Sequence, residues 1–223
     1  MVTGGTGAIG GAIARRLAAD GHAVVVLDRD GDVPVDLADA GQVRAAAATV
    51  LERHGRCDVL VHAAAAFDRA PLDALDLAAW RHVQAVNVES ALLLAQAFAP
   101  AMAAEGHGRI VLVVSDTVWS PPSPDMVAYV TSKAALIGLT RALAVGLGGD
   151  GIAVAAVAPG LTPTPAARDG VPAATFADVR ARQALPRSLE PEDVAHAVAF
   201  LAGDGGAALT GQVLCVDGGL VLR

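Results

Sequence analysis

Short apolar runs and longer alanine-rich stretches take turns along the 223 residues. HAVVVLD (22–28), CDVLVHA (57–63), GRIVLVVS (108–115), IAVAAVAP (152–159) and QVLCVD (212–217) have the length and β-branched content of buried strands. Between them, Gly10 to Asp20, Asp39 to His54, Leu77 to Ala104, Val127 to Leu147 and Pro191 to Ala202 repeat apolar positions about every 3.6 residues, so each predicts a helix. This alternation predicts an α/β fold: a doubly wound parallel sheet flanked by helices, in a single domain over 1–223.

Three departures from the pattern matter. Only RDGD separates the strand ending at Asp28 from VPVD, whereas parallel neighbours are normally joined by a dozen or more residues, so one sheet edge is expected to be thin. TGGTGAIG should follow a buried strand, yet Met1 and Val2 alone precede it, so the first strand is expected to be a stub or to begin upstream. From about 161 to 189 the periodicity lapses into Pro, Ala, Thr and scattered charge, which predicts a mobile flap over a site.

Hydrophobic residues make up 54% of the chain and aromatics 3%, which suits close-packed helices on a sheet. A net charge of −7, with no block of like charges, argues against nucleic acid or an anionic membrane as partner and leaves small molecules. No stretch reads as membrane-spanning or as a signal peptide, so a cytoplasmic protein is expected. Cys57 and Cys215 read as reduced thiols, and none of the six histidines forms a ligand pair, so no metal is expected.

Two features carry chemistry. Thr3, Gly4, Gly5, Gly7 and Gly10 stand at the mouth of a predicted helix, where glycines let a pyrophosphate approach free N–H groups. Eighteen residues after Gly10, Asp28 closes a strand, the place for an acid that takes the ribose hydroxyls of NAD and repels a 2′-phosphate; Arg29 beside it ranks NADP second. The second feature is AYVTSK (128–133), which holds the chain's single tyrosine and single lysine four residues apart, while AVNVES holds its single asparagine, Asn87.

Over Val2 to Gly219 the sequence resembles the short-chain dehydrogenase/reductase family, in its single-domain branch with a Rossmann-type fold. TGGTGAIG matches the family's glycine motif, with Ala8 where glycine is usual, and Ile9 between Ala8 and Gly10. HAAA (62–65) stands where the family has NNAG, placing Ala63 and Ala64 along the cofactor, and VDLAD places Asp36 at the adenine amine with Leu37 beside it. The resemblance implies a catalytic set of Asn87, Ser115, Tyr129 and Lys133. It also implies that PGLTPT carries Pro159, Gly160, Thr162 and Thr164 to the nicotinamide, and that the protein is a homotetramer.

Those residue types suit the role. Positions i and i+4 share a helix face, so Tyr129 and Lys133 can project into one cleft. An ammonium about 4 Å from the phenol, at an effective dielectric of about 20, is worth roughly 4 kcal/mol, enough to lower its pKa by about three units. Ser115 can hydrogen-bond the reacting oxygen, Lys133 can reach the ribose, and Asn87 is expected to carry a water that links Lys133 to solvent. A pocket of Ser115, Thr117, Trp119, Met126, Tyr129, Leu161 and Phe176 is apolar, which predicts a hydrophobic or aryl secondary alcohol or ketone. The passages SDTVWS and QALPR resemble aryl-ethanol dehydrogenases, and the competing reading is a 3-oxoacyl-thioester reductase serving an acyl carrier protein. A non-catalytic NAD-binding protein would be expected to have lost the four residues that this chain keeps.

Overall fold

The computed structural model describes residues 1–222. Seven parallel strands form one sheet: β1 Val2–Thr3, β2 Val26–Asp28, β3 Val33–Pro34, β4 Val59–His62, β5 Gly108–Val113, β6 Ile152–Pro159 and β7 Val213–Val216, in the order β3-β2-β1-β4-β5-β6-β7. That is the doubly wound order whose direction reverses beside β1. Helices α1 (Ala8–Ala19) and α8 (Pro191–Ala202) cover one face, where Ile13, Leu17, Val194 and Val198 meet Val2, Val61, Val111 and Val157. On the other face lie α2 (Ala40–His54), α4 (Ser90–Ala104) and α5 (Val127–Leu147), closing over Leu27, Leu60, Ile110 and Val154. The fully buried leucines each contribute about 1.5–3 kcal/mol of transfer free energy.

The thin edge is present. β3 joins β2 in parallel through Leu27↔Val33 and Asp28↔Pro34, with no helix between them. β1 is a two-residue strand in a central position, paired through Val2↔Val26 and Val2↔Val61, with the Met1 ammonium donating to the Val59 carbonyl at 2.7 Å. β2 is shorter than the apolar run 22–28, because its pairing with β1 covers only Val26 and Leu27. The region 161–189 holds two helices, α6 (Pro165–Gly170) and α7 (Ala173–Arg182), neither of which buries a residue. Thr164 caps α6 by accepting from the Ala167 N–H, and Pro165 starts it.

The helical stretch Leu77–Ala104 is interrupted. After α3 (Leu77–Gln84) comes one π turn, Ala85–Glu89, before α4 begins. A π turn leaves a carbonyl out of the regular ladder, and here His62 takes it, with Nε2 3.2 Å from the Asn87 carbonyl. Thr3 Oγ1 accepts from the N–H groups of Ala63 and Ala64, so its own proton goes to His62 Nδ1 at 3.0 Å, which leaves His62 neutral with its proton on Nε2. Leu77–Ala104 and Val127–Asp150 are long and apolar enough to cross a membrane by length and composition, and both pack against the sheet through their buried faces.

Burial, followed by the charge of Lys133, pushes the His62 pKa down to about 3. A histidine that is harder to protonate when folded stabilises the fold above its unfolded pKa near 6.5, and that stability is lost as the pH falls toward 3. Stability should therefore fall below pH 6.5 with a contribution from His62 approaching about 1.4 kcal/mol per pH unit. His62→Gln, which keeps a donor and an acceptor, should show a shallower slope in chemical denaturation; an unchanged slope would contradict the assignment.

Candidate active site

The cleft lies at the carboxyl ends of β1, β2 and β4. Gly4 has φ +69°, and a Cβ there would come 2.7 Å from the Ala64 backbone. At Gly10 a Cβ would stand 2.1 Å from the Gly4 carbonyl oxygen, so this tight turn into α1 needs glycine at both positions. Gly7 caps α1 without a side-chain bond, and the first helical bond runs from the Gly11 N–H to the Gly7 carbonyl. The Thr6 and Gly7 N–H groups are taken by Asp28 and the Gly4 carbonyl, and those of the first helical turn, from Ala8, remain available to an anion, with the helix dipole behind them.

Asp28 faces this turn. Its Oδ2 accepts from the Thr6 N–H and hydroxyl, and its Oδ1 accepts from the Arg29 N–H at 2.8 Å. Burial works against its charge, but the Thr6 hydroxyl, those two backbone N–H groups and the Arg29 charge outweigh it and hold the carboxyl below the usual range. A cleft of about 610 Å³ runs from here past Asp36 and Leu37 to Ala63, Ala64, Val86 and Thr164. Its glycine cradle, free helix terminus and ionised acid fit a dinucleotide.

The second group of residues meets at the end of β5. Ser115 follows β5 and caps a 3₁₀ turn, Asp116–Val118, by accepting from the Thr117 N–H at 3.3 Å; the Thr117 hydroxyl lies 2.9 Å from the same oxygen. Tyr129, in the first turn of α5, has Ser115 near enough to its phenol to pull the phenol pKa down. Lys133 lies on the buried face of α5 and donates to the Val113 carbonyl at 2.8 Å, with Nζ 5.6 Å from the Tyr129 ring centroid. Asn87 is fully buried: its Oδ1 accepts from the Ala66 N–H at 2.7 Å, and its Nδ2 donates to the Ala66 carbonyl and to Ser132 Oγ.

The electrostatics depart from the expected lowering of the phenol. Burial pushes the Tyr129 pKa up to about 12, with the Ser115 hydrogen bond pulling it down and the Asp116 charge pushing it further up. Burial likewise pulls Lys133 down to about 7. Desolvation disfavours both charged forms, and Lys133 directs a hydrogen bond at a backbone carbonyl, so the expected attraction does not dominate.

Most of the residues expected along a cofactor line the cleft: Gly4, Gly7, Ala8, Ile9, Gly10, Asp28, Arg29, Asp36, Leu37, Ala63, Ala64 and Thr164. Thr3, Gly5, Pro159, Gly160 and Thr162 do not line it; Thr3 is committed to His62, and Thr162 is buried with its hydroxyl on the Gly160 carbonyl. Ser115, Tyr129 and Lys133 are also outside its lining. Of the expected substrate wall, Thr117 contacts Ser115, Met126 is buried, and Trp119 packs against the core. Leu161 and Phe176 are half-buried, Phe176 on α7.

Two contributors went unpredicted. Phe67 sets its ring edge-on to Tyr129, centroids 4.6 Å apart, and Thr6 holds Asp28. The aromatic in AAAAF was the available signal for Phe67, five residues beyond His62. Among the described residues no group of His, Cys, Asp and Glu is arranged to hold a metal.

Comparison with known proteins agrees with this geometry. Residues 5–221 match a family profile described as enoyl-(acyl carrier protein) reductase. The chain is 38% identical to the cis-4-hydroxycyclohexanecarboxylate dehydrogenase of Sinomonas cyclohexanicum, over 98% of this chain and 94% of that one. The structure of the TT0495 protein of Thermus thermophilus superposes with a TM-score of 0.92 at 38% identity, covering 98% of this chain and 96% of that one. A short-chain dehydrogenase of Burkholderia cenocepacia in complex with NADP gives a TM-score of 0.87 at 36% identity, with the same coverage of both chains. A glycine cradle opening a doubly wound sheet, a Ser-Tyr-Lys cluster beside it and this near full-length likeness lead to one conclusion: the chain belongs to the short-chain dehydrogenase/reductase family, as an oxidoreductase that acts on CH–OH groups with a nicotinamide cofactor.

Proposed function

We propose that the protein interconverts a hydrophobic secondary alcohol, aryl or alicyclic, and its ketone, with Tyr129 as the acid/base. The observation that carries this reading is the contact of Tyr129 with Ser115 on one side and with the Phe67 ring edge on the other. The reacting oxygen would sit between the two hydroxyls, and Phe67 would give an apolar ring a wall to rest on. When bound, the oxidised nicotinamide supplies the hydride acceptor and a positive charge. Ser115 orients the oxygen, and Tyr129 takes or gives the proton. Lys133, buried on the same helix, supplies the positive charge that favours the phenolate. Asn87 holds the Ala66 backbone and, through its carbonyl on the π turn, stays tied to His62; a water relay through Asn87 to Lys133 belongs to the same proposal.

NAD is the cofactor this geometry favours. The Asp28 carboxylate keeps lone pairs for a ribose diol beyond those taken by Thr6 and Arg29, and its charge opposes a 2′-phosphate. A homotetramer and a cytoplasmic location belong to the same reading, the first supported by the exposed Leu92 on α4 and Val145 on α5. A second reading, reduction of a 3-oxoacyl thioester on an acyl carrier protein, is favoured by exposed Arg168, Arg180 and Arg182 on α6 and α7. Assays of aryl ketones, alicyclic ketones and 3-oxoacyl thioesters separate the two readings, and preference for the thioester by kcat/KM would overturn the first.

Replacing Tyr129 by phenylalanine should lower kcat by about 10²–10⁴-fold while calorimetry finds cofactor affinity unchanged; near-normal turnover would refute the acid/base role. Asp28→Ala should lower kcat/KM with NAD by roughly 10–150-fold, the worth of hydrogen bonds to a charged group, and should raise use of NADP. Native enzyme that prefers NADP would contradict the role given to Asp28.

A further inference from the structure

Beside Ser115 stands a buried acid that the reaction as described leaves unused. Asp116 is 6% exposed, and its Oδ1 lies 3.4 Å from Ser115 Oγ. A serine hydroxyl has one proton and two lone pairs. Thr117 approaches Ser115 Oγ with both its N–H and its hydroxyl, which together account for the lone pairs. The single Ser115 proton then has three claimants, the Asp116 carboxylate, the Tyr129 phenol oxygen and the oxygen of a substrate held between Ser115 and Tyr129, and the first competes with the other two. We propose that Asp116 is a positioning residue of the reaction, whose neutral carboxyl leaves the Ser115 proton to the substrate oxygen and whose ionised form withdraws it. The inference rests on the roles proposed above for Ser115 and Tyr129.

The surroundings of Asp116 favour its neutral form. The charge of a second buried acid, Asp217, just beyond β7, acts on it, and two carboxylates that repel each other cannot both ionise freely. Asp217 accepts the Gly219 N–H at one oxygen and the Val221 N–H at the other, both at 2.9 Å, whereas the Ser115 hydroxyl stands 3.4 Å from Asp116 Oδ1. From the flap, Gln183 directs its Nε2 to the Asp217 carbonyl. From α5, Tyr129 feels the Asp116 charge as a repulsion, while Lys133 gives a hydrogen bond to Val113. On its own segment, the Ser115 hydroxyl and the neighbouring backbone N–H groups oppose the shift. Burial first, and then Asp217, push the Asp116 pKa up to about 6.

Ionised Asp116 would act twice on the chemistry. It would turn the Ser115 hydroxyl away from the substrate oxygen, and it would set a negative charge near the phenol and the developing alkoxide. No bond is made or broken at Asp116, and its proton is not consumed. An acid kept neutral by its surroundings so that an oxyanion site can work is an established device in other enzymes.

The test uses pH. Between pH 5 and 7, wild-type kcat/KM for ketone reduction should fall by up to roughly tenfold as one carboxyl ionises. Asp116→Asn, an isostere that cannot ionise, should lose this inflection and keep only the one that Lys133 gives near 7. A group whose pKa is raised on folding stabilises the fold below its unfolded pKa, and that stability is lost as the pH rises through the folded value. The melting temperature of Asp116→Asn relative to wild type should therefore climb between about pH 4 and 6 and level off above. Carbon-13 NMR of the aspartate-labelled wild type, which needs no variant, should show a carboxyl that titrates near pH 6. An unchanged inflection in Asp116→Asn, a pH-independent difference in melting temperature, or no carboxyl titrating above pH 5 would each overturn the proposal. The last two involve no turnover, so they separate failure of this inference from failure of the roles given to Ser115 and Tyr129, which the Tyr129→Phe enzyme tests.

Discussion

The hydrogen bond from His62 to the Asn87 carbonyl is the constraint on which the site depends. His62 closes β4, next to the central strand; its other nitrogen is held by Thr3 of β1, and Thr3 in turn holds the Ala63 and Ala64 N–H groups that line the cofactor cleft. The chain of bonds runs from the half-buried Ala63 and Ala64 N–H groups through buried Thr3 and His62 to the π turn. In a low-dielectric interior such a chain holds geometry firmly, because each broken link leaves an unpaired polar group. The cofactor end and the π turn are therefore tied together by one neutral imidazole, and the Asn87 side chain extends the tie to Ser132 of α5.

Burial sets the chemistry of what sits around that chain. His62, Lys133 and Tyr129 all have their charged forms disfavoured, and Asp116 is pushed the same way. Attraction between Lys133 and the phenol operates against this background. Charge is consequently disfavoured around the Tyr129 hydroxyl, whereas Asp28 in the cofactor cleft keeps its charge through hydrogen bonds.

The sheet, its main helices and the glycine cradle were legible because each leaves a local signature: apolar runs, a 3.6-residue period, glycines before a helix. The Tyr129–Lys133 pair was legible from spacing on one helix. Other features were not, for physical reasons. The π turn at Ala85–Glu89 lies inside an unbroken apolar period, and its partner is twenty-five residues away in sequence, at His62. Helix α7 buries none of its residues, so it carries no apolar stripe to read, and 161–189 looked irregular. The pKa directions depend on burial, which composition does not reveal. The contact of Phe67 with Tyr129 joins two segments sixty-two residues apart, and the Ser115–Asp116–Asp217 cluster likewise exists only when β5 and β7 come to one end of the sheet.

The central claim is that this cleft moves a hydride directly between a carbinol carbon and a nicotinamide while side chains handle only the proton. It is tested most directly by isotope transfer. For whichever alcohol of an aryl and alicyclic panel is turned over, deuterium placed on the carbinol carbon should be recovered on the nicotinamide ring, with none appearing in water. Recovery of that deuterium in solvent, or oxidation of the alcohol without reduction of the cofactor, would contradict the account.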